Sequence, residues 1–120
     1  MPANLYAFYG SLRRGLHNHE VFKPHLNYQF SIWLQGFQLY SFGDFPFAIR
    51  TEKKVDKILV EVFEIEKKEI EKQIAELELG YGYHSESVFI DHVPVKIYLL
   101  KDSANYPLVS GGDWVKFFRC

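Results

Sequence analysis

The sequence predicts an α+β fold, a small mixed, barrel-like sheet with one main helix and short flanking helices. Three observations predict it. Strand-like apolar runs occur in both halves of the chain, only one long amphipathic helix is visible, and strands do not alternate with helices as a doubly wound fold requires. The length of 120 residues suits a single domain spanning residues 1–120.

The elements follow in order. Leu5–Tyr9 is apolar throughout, the pattern of a strand buried on both faces. Asn18–Lys23 reads as a short helix stopped before Pro24. Phe30–Tyr40 reads as one aromatic-rich strand, with Gly36 at a bulge or close backbone approach. Phe42-Gly43-Asp44-Phe45-Pro46 forms a turn, and Phe47–Arg50 a short strand. Ile58–Ile65 alternates, placing Val60, Val62 and Ile65 near one face and Glu61 and Glu64 toward water. Lys67–Leu79 is the clear helix, with Ile70, Ile74 and Leu77 on one stripe and Gly80 as its stop. Ser87–Ile90 and Val93–Leu100 flank Asp91-His92 as a hairpin.

Composition excludes several functions. With 48% apolar and 18% aromatic residues the chain has the means to build a core. A net charge of −1 offers no electrostatic footprint for nucleic acid or an anionic membrane. No apolar stretch reaches the ~18 residues of a membrane span, and Met1-Pro2-Ala3-Asn4 lacks the start of a signal peptide. The expected location is the cytoplasm. The lone cysteine, Cys120, has no partner for an internal disulfide. His17, His19 and His25 lack regular ligand spacing, and His84 and His92 lie far off, so exposed loop histidines and no metal are expected. His17 or His19 is placed to reach a pocket mouth.

Two segments carry chemistry. Tyr9-Gly10-Ser11-Leu12-Arg13-Arg14-Gly15 follows the first strand directly. A turn of this composition presents successive backbone N–H groups, a nest for an anion or a developing oxyanion. Arg13-Arg14 reads as a solvated pair, since no P-loop Gly-Lys-Ser/Thr accompanies it. Ser11 lacks the elbow and the His–Asp partners of a nucleophile. The second segment is the end of the long helix. Periodicity puts Glu71 only slightly further from the apolar stripe than Glu78 and does not choose between them, but Glu78 sits in the last turn beside Gly80-Tyr81-Gly82-Tyr83. Partial burial and the negative end of the helix dipole both disfavour its ionisation. A carboxylate of raised pKa suits proton transfer near neutral pH.

Together these segments resemble the gamma-glutamylcyclotransferase-like superfamily. Tyr9–Gly15 with Asn18 is similar to its signature loop, and Leu77-Glu78-Leu79-Gly80-Tyr81-Gly82-Tyr83 to its second motif. Gly36-Phe37-Gln38-Leu39-Tyr40 with Phe45-Pro46, and Ser110-Gly111-Gly112-Asp113-Trp114, resemble two further family segments in the same order. The resemblance implies cyclisation of a γ-glutamyl amine or peptide to pyroglutamate with release of an amine, and no cofactor. It implies Glu78 as general acid/base. It implies Tyr9, Gly10, Ser11 and Leu12 around the γ-glutamyl head, with Tyr83 hydrogen-bonding near the substrate. The alternatives are a binding module for a γ-glutamyl-like or carboxylate ligand, and a hydrolase of the same bond. The chain departs from the family at Ala75, often Asp, and at Ser85, often Arg. Oligomeric state does not follow from these residues.

Overall fold

The computed structural model describes residues 4–119; the position of Cys120 lies outside them. In chain order the elements are β1 (Asn4–Phe8), α1 (His17–Phe22), a 3₁₀ turn (Lys23–His25), β2 (Asn27–Gln35), β3 (Phe37–Ser41), β4 (Pro46–Arg50), β5 (Lys57–Ile65), α2 (Lys68–Gly80), β6 (His84–Ile90), β7 (Val93–Leu99) and α3 (Trp114–Arg119). The α+β class holds. Five strands form a mixed sheet in the order β2-β5-β1-β7-β6, and β3-β4 form a second, two-stranded sheet. Among the described residues the two sheets do not close into a barrel. They are joined by a main-chain bond from Leu100 N–H, just past β7, to the Ala48 carbonyl of β4 at 3.0 Å, and the segment before α3 holds β3 through Val109 N–H to the Leu39 carbonyl at 2.8 Å.

β1 is central, antiparallel to β5 and parallel to β7. Its continuous apolar run is explained by burial on both faces. Ala7 and Tyr9 belong to one core, with Val60, Val62, Ile97 and Trp114. Tyr6 and Phe8 belong to the other, with Phe63, Ile65, Ile74 and Tyr83. Ile65 therefore faces away from Val60 and Val62, as strict alternation along β5 requires.

Ile65 does not share a face with Val60 and Val62 as expected, and four further local expectations are corrected. Phe30–Tyr40 is two strands in different sheets. At Gly36 the backbone takes φ +84°, and its carbonyl accepts from Thr51 N–H, so the chain turns out of one ladder into the other. Gly80 is still helical. The helix stops at Tyr81, and Gly82 takes the positive φ of 88°. Glu61 does not face water; it is buried within an ion-pair network. His19 is neither exposed nor in a loop. It is buried in α1, with Nδ1 3.0 Å from the Leu12 carbonyl and its ring against Phe63. The expected hairpin forms, with Asp91 and His92 both at positive φ as a tight two-residue turn demands. Helix α3 had no signal beyond Gly-Asp-Trp; its anchor is the buried Trp114.

Candidate active site

The turn after β1 is fixed from behind by charge. Arg13 Nε lies 2.9 Å from Glu61 Oε2, and its Nη1 lies 2.8 Å from Asp113 Oδ1. Arg14 donates to Glu61 Oε1 through both its amide N–H and Nε, at 2.9 and 3.0 Å. Only Arg14 is solvated as expected, with its guanidinium 3.7 Å from the Tyr28 ring centroid. Glu61 from β5 is the residue the sequence reading missed. Alternation hid it, because the face opposite Val60 and Val62 is also buried.

Within the turn, Arg13 N–H bonds to the Gly10 carbonyl at 2.9 Å, and His19 N–H to the Ser11 carbonyl at 3.0 Å. Asn18 Nδ2 donates to Ser11 Oγ at 2.7 Å. The amide N–H groups of Ser11 and Leu12 have no acceptor among the described residues. Glycine at position 10 is required by crowding rather than by its dihedrals. A Cβ there would stand 2.6 Å from Pro46 Cγ.

The other wall comes from the end of α2. The Glu78 carbonyl accepts N–H groups from Tyr81 and Tyr83 at 3.1 and 3.2 Å, which fixes the exit of the helix. The Glu78 side chain is half-buried, and its carboxyl has no hydrogen-bond or ion-pair partner among the described residues. Burial alone raises its pKa from 4.5 to about 7. Glu71, nearly its equal by periodicity, is committed elsewhere. Its Oε1 accepts from Asn4 Nδ2 at 2.6 Å and from the Tyr6 hydroxyl at 2.8 Å.

Both segments line one hollow of about 570 Å³, its open mouth included. The turn supplies Tyr9, Gly10, Ser11 and Leu12; the helix end supplies Leu77, Glu78, Tyr81 and Tyr83. All six residues singled out from the sequence are thus brought together. Of the α1 residues it is Asn18 that lines the hollow, not His17 or His19. Phe42, Phe45, Pro46 and Tyr98 complete the wall.

The tyrosine hydroxyls are spent on carbonyls. Tyr9 donates to the Tyr98 carbonyl and accepts from Ala48 N–H at 3.2 Å. Tyr83 donates to the Pro46 carbonyl. Burial first, and then neighbours that include Glu78, pushes both phenols above their ordinary range. Neither proton is given to Glu78, so nothing offsets the cost of ionising that carboxyl. The arrangement can therefore take up and return a proton near pH 7 beside unclaimed amide donors. Among the described residues no three of His, Cys, Asp and Glu gather as metal ligands, and no helix is long and apolar enough to cross a membrane.

Comparison with known proteins agrees with this fold. The uncharacterized protein PH0828 from Pyrococcus horikoshii is 28% identical, with a TM-score of 0.81 over 98% of this chain and 94% of that one. The protein c4763, specific to uropathogenic E. coli, is 20% identical, with a TM-score of 0.79 over 99% and 98% of the two chains. A gamma-glutamyl cyclotransferase structure is 18% identical, with a TM-score of 0.59 over 88% of this chain and 69% of that one. The last two share the fold alone at such identities. No curated protein matches the sequence. The profile described as gamma-glutamyl cyclotransferase, AIG2-like, matches residues 6–116, and the chain belongs to that family.

Proposed function

We propose that this protein cyclises a γ-glutamyl amine or peptide to pyroglutamate, with Glu78 as general acid/base. The α-amine of the γ-glutamyl group attacks its own γ-amide carbon. The new C–N bond closes the five-membered ring, the old amide C–N bond breaks, and the amine leaves. Glu78 takes a proton from the attacking amine and returns one to the leaving nitrogen. The reaction is intramolecular, so holding the substrate folded supplies much of the acceleration.

The observation that carries this reading is the unpartnered Glu78 carboxyl, its pKa raised to about 7, in the hollow that Ser11 and Leu12 also line. The amides of those two residues are suited to the γ-glutamyl oxygens, including the tetrahedral oxyanion, where each donor is typically worth ~3–4 kcal/mol. Tyr9, Gly10 and Tyr83 shape the cavity around the head group. Tyr83 reaches the substrate with lone pairs only, since its proton serves Pro46.

The test is incubation with γ-glutamyl amides and assay for pyroglutamate. Glu78→Gln should lower turnover at least ~100-fold, as loss of a general base does, while still binding substrate. Normal turnover by that variant would remove Glu78 from the mechanism. Glutamate as product would mean hydrolysis, and binding without product would mean a ligand-binding module.

A further inference from the structure

The mouth of the hollow differs in chemistry from its floor. Phe45 and Tyr81 line it, yet both are exposed, at 37% and 57%. Their rings lie 5.4 Å apart and tilted by 39°. They come from different elements, Phe45 from the turn before β4 and Tyr81 from the exit of α2, and pack against each other to leave one aromatic surface toward the hollow. Behind them Phe42 packs on Phe47 and Tyr106, each at 4.5 Å between ring centres. Among the described residues lining the hollow, Glu78 carries the only charge. The nearby cations of the turn, Arg13 and Arg14, are both held by Glu61.

From this we infer that Phe45 and Tyr81 form the subsite for the leaving amine, and that the amine is aromatic or otherwise apolar and bears no carboxylate. The inference rests on the cyclisation reading, since it needs the γ-glutamyl head to sit between Glu78 and the turn. With the head there, the rest of the substrate extends toward the open mouth. Two aromatic faces reward a ring placed against them. A γ-glutamyl peptide would instead bring its own C-terminal carboxylate. That anion would leave water beside Glu78, with no lysine or arginine in the wall to meet it. The substrate class is therefore γ-glutamyl arylalkylamines rather than γ-glutamyl peptides.

Three probes separate the possibilities. γ-Glutamyl-phenethylamide carries the ring without a carboxylate, γ-glutamyl-phenylalanine carries both, and γ-glutamyl-ethylamide carries neither. With the unchanged protein, kcat/KM for the phenethylamide should exceed that for each of the others about tenfold. Phe45→Ala and Tyr81→Ala, both at exposed positions, should each cut the phenethylamide-to-ethylamide ratio at least threefold. Equal rates on all three, or faster turnover of γ-glutamyl-phenylalanine, would overturn the subsite while leaving cyclisation standing. If no probe yields pyroglutamate, cyclisation fails, and the order of affinities measured by calorimetry on the unchanged protein decides the subsite. Preference for the phenethylamide there supports it; any other order, or no binding, ends it.

Discussion

Replacing Glu78 by Gln should make the protein more stable as well as inactive, and only over a defined pH range. The carboxyl is half-buried and unpaired, and its pKa rises from 4.5 to about 7 on folding. Below pH 4.5 it is protonated in both folded and unfolded chains and costs nothing. Between pH 4.5 and 7 the folded chain holds a proton that the unfolded chain has released, so stability falls as pH rises. Above pH 7 the full cost is present. At ~1.4 kcal/mol per pH unit, a span of about 2.5 units amounts to an upper bound of about 3.5 kcal/mol, and solvent at the mouth screens part of it. Glutamine keeps the size and removes the charge. In urea titrations from pH 4 to 9, the variant should match the parent at pH 4 and exceed it by about 2–3 kcal/mol at pH 8. A difference that stays flat with pH, or a variant less stable at pH 8, would refute an uncompensated buried carboxyl.

Three other outcomes follow from the same geometry. Gly10→Ala drives a Cβ to 2.6 Å from Pro46 Cγ, so stability should drop by ~1–3 kcal/mol, read as a lower urea midpoint, with a larger loss of turnover because the turn moves. Glu61→Gln removes the shared anion of Arg13 and Arg14. With Asp113 still holding Arg13, the loss should sit near the low end of the ~3–5 kcal/mol typical of broken buried pairs, measured by chemical denaturation. Tyr83→Phe leaves the Pro46 carbonyl without its donor and should cost ~1–2 kcal/mol. Because that proton never reached Glu78, the limb of the pH–rate profile near 7 should stay in place; a shift of a full pH unit would show that the hydroxyl touches the carboxyl.

Much of this was legible in the sequence because the governing rules are local. The apolar run Leu5–Tyr9, the stripe of α2 and the Asp91-His92 hairpin follow from periodicity and turn chemistry. What stayed hidden depends on partners distant in sequence. Phe30–Tyr40 reads as one strand because nothing local says that Thr51 meets Gly36 and splits it. Glu61 reads as a solvent-facing position because its partners are Arg13, 48 residues away, and Arg14. His19 reads as a loop histidine until the Leu12 carbonyl and Phe63 close over it. The candidate residues were picked out by motif; place in the last turn favoured Glu78, although periodicity alone could not choose between Glu71 and Glu78. Contacts across the sheet do: Tyr6 and Asn4 claim the first.

That division has a physical meaning. Throughout the described residues, every fully buried side-chain nitrogen and oxygen has a partner, including the charges of Arg13 and Glu61. A chain that satisfies its interior so thoroughly has little reason to leave donors and an acid unpaired in one place by accident. Yet among the described residues the Ser11 and Leu12 amides lack acceptors and the Glu78 carboxyl lacks a donor, all in one hollow. The Glu61 network holds one wall still, and the helix exit holds the other, so these groups cannot relax toward each other. On the proposed reading, a folded γ-glutamyl group supplies those partners, oxygens for the amides and an ammonium for the acid. Stability forgone at Glu78 is then the counterpart of proton transfer at neutral pH, which is why one substitution should raise the first and abolish the second.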